Sequence, residues 1–152
     1  MPHLVILYTA NLDAVVDMPA LCRELADTML SVREEGGQPV FPPGGTRVLA
    51  YPAPHFAVGD GGAAGRAAGA GKTGVSTDDP GEYGFMYLNL RMGGGRSDAT
   101  QNRAGGALLA CAKARLEPVM ATRHIGLTVQ VDVGAEVFDG KHSTLHPLFK
   151  KT

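Results

Sequence analysis

The chain has 152 residues, of which 44% are apolar, with 14 Lys+Arg against 15 Asp+Glu. That length suits one domain with its own core, and a net charge of −1 gives no electrostatic case for nucleic acid or an anionic membrane as partner. The two cysteines, Cys22 and Cys111, make no disulfide framework and lack the spacing of a zinc or redox pair. No apolar window is long enough to span a bilayer, and a reducing cytoplasm is the default compartment.

Residues 2–8 form an apolar, β-rich run without alternation, which predicts a strand buried on both faces. Asp17 before Met18-Pro19 fits a helix N-cap with proline in the first turn. Leu21, Leu25, Met29 and Val32 then recur at helical spacing, with Gly36-Gly37 as the expected stop. After a Pro-rich turn at 41–45, residues Thr46 to Tyr51 predict a second strand. Glycine and alanine dominate 57–82, a segment too poor in large apolar residues to offset the entropy of ordering, and it reads as a mobile loop. Within it, Gly69-Ala70-Gly71-Lys72-Thr73 looks like the end of a phosphate-binding P-loop. The full signature needs a glycine where Arg66 stands, and no strand leads in.

The second half repeats the plan. From Phe85 to Met92, the side chains of Met86, Leu88, Leu90 and Met92 share one face of a strand, which Gly93-Gly94-Gly95 breaks. Ser97-Asp98 can cap a helix running to about Leu116, with Ala104, Leu108, Cys111 and Arg115 along one side. Ile125, Leu127, Val129, Val131 and Val133 then alternate with small or polar residues as a half-buried strand. Two β-α-β units, about 2–51 and 84–133, follow one another as an internal repeat. The expected fold is a single α+β domain over 1–152, a two-layer sandwich. Its four-stranded sheet carries two helices on one face, with a C-terminal segment at 142–150.

His3, His55, His124, His142 and His146 are scattered without ligand spacing, which predicts no metal site. Pro2 follows the initiator methionine, whose removal would leave a secondary amine at the start of a buried strand. Burial and nearby cations disfavour the protonated amine, and a neutral amine is a general base. The alternative is that Met-Pro is simply a common start. Gly93-Gly94-Gly95-Arg96-Ser97-Asp98 joins flexible backbone, a helix N-terminus and a guanidinium, either an anion site or a tight turn with a solvated arginine. Arg47, at the start of the second strand, is a third candidate.

Several stretches together carry a resemblance: Met-Pro-His-Leu-Val at 1–5, the Asp17–Leu21 region, Thr46-Arg47-Val48, 90–97 (Leu-Arg-Met-Gly-Gly-Gly-Arg-Ser) and 142–150 (His-Ser-Thr-Leu-His-Pro-Leu-Phe-Lys). In that order they resemble the 5-carboxymethyl-2-hydroxymuconate delta-isomerases of the tautomerase superfamily, which also holds 4-oxalocrotonate tautomerase and macrophage migration inhibitory factor. The resemblance implies a homotrimer with active sites near subunit interfaces, no cofactor, and a small-molecule carboxylate as substrate. It implies that Pro2 is the catalytic base and that Arg47 and Arg96 bind substrate carboxylates. The reaction it implies, in aromatic-compound breakdown, moves the double bonds of an unsaturated 2-hydroxy di- or tricarboxylic acid into conjugation with a 2-keto group. Gly45 stands where the family commonly has the first of two arginines separated by one residue. The same scaffold would also suit a hydratase or tautomerase of another unsaturated acid, or a non-catalytic trimeric binding protein.

Overall fold

The structure, a computed structural model, describes residues 2–68, 82–134, 138, 140 and 142–149. Four strands, β1 (His3–Thr9), β2 (Arg47–Ala53), β3 (Gly84–Gly93) and β4 (Ile125–Gly134), form one sheet in the order β2-β1-β3-β4. β1–β2 and β3–β4 pair in parallel, and β1–β3 pair antiparallel. The expected pair of β-α-β units therefore meets along the central strands. The crossover helices, α1 (Met18–Ser31) and α3 (Asp98–Met120), close one core with the sheet. Leu4, Ile6, Met86, Leu88 and Leu90 supply its floor; Leu21, Leu25, Leu108 and Leu116 supply its roof.

The other face of the sheet departs from expectation. β1 is buried on the helix side only, because both crossovers lie there. Its alternate residue Leu7 is 50% exposed, as is Tyr51 beside it on β2. β2 is an edge strand and contains Pro52, a residue that a central strand tolerates poorly because it gives no N–H to the ladder.

Asp17 caps α1 as expected, its carboxylate accepting the Ala20 amide at 3.0 Å. The helix stops at Ser31 rather than at Gly36-Gly37. Val32 turns extended and buries its side chain, and Arg33 bridges Pro39 around a turn in which Gly37 takes φ 80°. Ser97 caps α3, accepting the Thr100 amide at 3.2 Å. This helix continues past Leu116 to Met120 with Pro118 inside it. Its fully buried stripe is Ala104, Leu108, Ala112 and Leu116, with Cys111 half-buried against the same core as expected, whereas Arg115 does not join it. Arg115 instead pairs with Glu24 of α1.

Part of the segment expected to be a loop is ordered. A short helix, α2 (Ala63–Ala67), is held by Asp60, whose carboxylate accepts the Gly62 and Ala64 amides, each at 2.9 Å. The Tyr83 hydroxyl donates to the same carboxylate at 2.9 Å and accepts the Gly65 amide at 2.7 Å. These fixed dipoles, chiefly the two amides, hold the Asp60 carboxyl below the usual carboxylate range. The P-loop-like stretch 69–73 lies outside the described residues.

Candidate active site

Because β1 and β2 are parallel and β3 runs against them, the starts of β1 and β2 and the end of β3 share one end of the sheet. The three residues singled out from sequence, Pro2, Arg47 and Arg96, belong to those three termini.

Pro2 is buried just ahead of β1. The turn 41–45 packs against it: a Cβ placed on Gly45 would stand 3.2 Å from Pro42 Cγ and 3.8 Å from Pro2 Cδ. The position that commonly holds an arginine in the resembling family is thus immediate to the proline ring. Gly44 has a different neighbour. A Cβ there would lie 2.8 Å from the Phe149 ring, too close for contact, so glycine is what lets the C-terminal 3-10 turn His146–Phe149 close on this end.

Arg47 opens β2 directly across from His3, and its Nη1 donates to the Gly45 carbonyl at 3.3 Å. On the other side His3 faces Arg91 of β3. Paired residues share a face, so Arg47, His3 and Arg91 form a basic row beside Pro2 on the face away from the helices. Arg91 escaped the sequence reading. Its alternation places it on that face, but only the β1–β3 register, invisible in the chain itself, sets it opposite His3. Arg91 Nε donates to Asn89 Oδ1 at 2.7 Å, and Asn89 Nδ2 donates to Asp132 Oδ2 at 2.8 Å. Gln130 donates to the other Asp132 oxygen at 2.8 Å and accepts from the Tyr87 hydroxyl at 2.7 Å. The bond from Asn89, then that from Gln130, draws the Asp132 carboxyl below its usual range. Asn89 and Tyr87 are accordingly tied to β4.

Arg96 is not an open fork at a helix N-terminus. Its Nη2 donates to the Val40 carbonyl at 3.0 Å and its Nη1 to the Gly93 carbonyl at 3.3 Å. The guanidinium carbon lies 5.8 Å from the Phe41 ring centroid. Gly95, at φ 97°, makes the reversal that brings the side chain back, a conformation that favours glycine. Arg96 therefore braces the turn that presents Gly45 to Pro2. Its Nε is buried and without a partner among the described residues, one donor left over from that bracing. The arrangement is a buried strand-start proline, a turn clamped around it, and a basic row alongside. It suits proton transfer on a molecule carrying carboxylates.

A family model for 5-carboxymethyl-2-hydroxymuconate isomerase matches residues 2–149. The chain belongs to this family. The 5-carboxymethyl-2-hydroxymuconate Delta-isomerase of Escherichia coli is 21% identical over 150 residues, covering 99% of this chain and all of that one. Among solved structures, a 5-carboxymethyl-2-hydroxymuconate delta-isomerase is 58% identical with a TM-score of 0.90, over 100% of this chain and 95% of the other. A 5-carboxymethyl-2-hydroxymuconate isomerase from Deinococcus radiodurans R1 is 26% identical with a TM-score of 0.75, over 99% and 95%. A native fused 4-OT, at 17% identity and a TM-score of 0.52, shares the fold. This member of the 5-carboxymethyl-2-hydroxymuconate isomerase family is thus an isomerase on the tautomerase scaffold. Among the described residues no helix is long and apolar enough to cross a membrane.

Proposed function

We propose that the chain is a cytoplasmic, homotrimeric, cofactor-independent tautomerase of one domain. Its substrate would be an unsaturated 2-hydroxy di- or tricarboxylic acid such as 5-carboxymethyl-2-hydroxymuconate. Pro2 is the general base. Once Met1 is removed, its amine takes the 2-hydroxyl proton and returns a proton at carbon, and the double bonds move into conjugation with the new 2-keto group. Arg47 and Arg96 bind substrate carboxylates, and Arg91 adds charge from the neighbouring strand. The observation that carries this reading is the burial of Pro2 between the Gly45 turn and the basic row, where a neutral amine is favoured over an ammonium.

Gly45 favours keeping a second substrate open. Without an arginine beside the proline, a different unsaturated acid, or hydration instead of isomerisation, fits the same machinery. Gly45→Arg then raises the preference for a tricarboxylate over a dicarboxylate; an unchanged preference leaves position 45 out of substrate choice.

The test of the main reading pairs intact-mass measurement with Pro2→Ala kinetics on a 2-hydroxymuconate. The wild-type mass lacks Met1, and the variant loses about 10²–10⁴-fold in kcat/KM, the usual range for a positioned base, with its trimer intact. Retained Met1 in active protein, or full activity in the variant, overturns the role of Pro2.

A further inference from the structure

Arg91 has an acid across the ladder from it and does not pair with it. In the register of β3 and β4 it faces Asp132, a placement that ordinarily gives a cross-strand ion pair. Both Asp132 oxygens are instead taken by side-chain amides, Oδ2 by Asn89 and Oδ1 by Gln130, each at 2.8 Å. Asn89 stands between the two charges: its Nδ2 donates to the acid, and its Oδ1 accepts from Arg91 Nε at 2.7 Å. Among the described residues Arg91 makes no ion pair, and its Nη1 and Nη2 make no hydrogen bond.

The arginine is thus held at its neck with its fork open. Asn89 is 3% exposed, and a buried amide is costly unless its partners are met, as both are here. Arg91 itself is exposed, on the face away from the helices. A long side chain loses rotamer freedom when it grips an anion, and a prior bond at Nε removes part of that cost. Arg91 and Arg47 flank His3, so their Cα positions lie two strand spacings apart, about 10 Å. That separation suits the two ends of one diacid. Position 45, a glycine, brings no cation to this end.

We infer that Arg91 receives the second carboxylate of the substrate through its Nη1–Nη2 fork, and that Asn89, anchored on Asp132, is the positioning residue that aims it. The inference rests on the reading of the Pro2 end as a site for an unsaturated diacid. It deepens that reading, because selectivity for a second carboxylate is then set from β3 rather than from the turn before β2.

Binding and turnover are measured separately, with hexanedioate and hexanoate as unreactive probes titrated by NMR. The wild-type chain binds the diacid about tenfold more tightly than the monoacid, as a charge-assisted contact provides. Arg91→Gln removes that difference, and Arg91→Lys, which keeps the charge without the fork, retains part of it. Asn89→Ala weakens the diacid about threefold and leaves the monoacid unchanged. In turnover of 2-hydroxymuconate, Arg91→Gln raises KM about tenfold with kcat little changed, the signature of lost uniform binding. The monocarboxylate enol of phenylpyruvate is turned over as before. No diacid preference in the wild-type chain, a preference that survives Arg91→Gln, an equal loss for both acids, or loss of the native assembly along with the preference overturns the inference. Full activity in Pro2→Ala overturns the base instead, and the probe titrations still decide Arg91.

Discussion

The two ends of the sheet are built on one plan and finished differently. At the first, the turn before β2 closes on the strand start: Gly45 packs on Pro2, Phe149 packs on Gly44, and Arg96 ties the turn to the end of β3. At the second, the Gly84 amide donates to the His124 carbonyl at 2.9 Å, and a cavity lies against this pair of strand starts with Ala64 and Gly65 of α2 in its wall. The core beneath both ends is the same layer of Leu, Ile and Met side chains. The duplicated scaffold therefore finishes its two ends differently, and the function proposed for the first rests on the residue at its strand start and on the turn that closes over it.

The sharpest way to break this contrast is the Pro2→Ala variant, whose expected loss is orders of magnitude in turnover. Arg96→Ala comes next. It removes the brace to Val40 and Gly93, costing about 1–2 kcal/mol in denaturant unfolding, and it raises KM for dicarboxylates. A variant with altered KM and wild-type stability would mean that the brace does not hold the turn. At the other end, a methyl group on Gly84 lands 2.6 Å from Leu12 Cδ2. Gly84→Ala is therefore expected to cost about 1 kcal/mol, the low end for overpacking because only a side-chain tip must yield. Unchanged stability would show this end to be looser than the packing of Leu12 suggests. Asp60→Ala has a smaller and local effect: amide hydrogen exchange at Gly62 and Ala64 accelerates while the thermal midpoint stays put. Unchanged exchange would deny Asp60 its hold on α2.

The smallest effect is a titration. Asp132 has a folded-state carboxyl pKa below its unfolded value, so its contribution is present above the ordinary aspartate range and is lost as pH falls through the folded midpoint. Carboxyl NMR of the native chain should place that midpoint below an ordinary aspartate, and Asn89→Ala should return it toward normal. A midpoint at or above the ordinary value would remove the Asn89 bond from the account.

Periodicity made most of the fold legible. Leu21, Leu25 and Met29 announce α1, and the alternation from Met86 to Met92 announces the helix-facing side of β3. The errors sit where local signals compete with packing. Gly36-Gly37 looks like a helix stop, yet Val32 leaves the helix earlier because its side chain is wanted in the core. The helix expected to end near Leu116 runs on to Met120, because its last turn accommodates Pro118. α2 has no apolar stripe to read; Asp60 and Tyr83 hold it across a sequence gap that composition does not reveal. Of the candidate site, Pro2 and the two arginines were legible as residues, but their partners were not. The bracing of Val40 by Arg96 and the alignment of Arg91 with His3 are tertiary facts, fixed by strand register and by the fold of the 40–45 turn.

Pro52 in β2 has a consequence for how the molecule meets its neighbours. A strand laid along the β2 edge of this sheet finds backbone donors only where residues have them, and Pro52 offers none. Lateral pairing is thereby confined to the Arg47–Tyr51 stretch, the half of the edge nearest Pro2. One imino acid limits open-ended stacking of sheets while leaving room for a short, specific join beside the pocket.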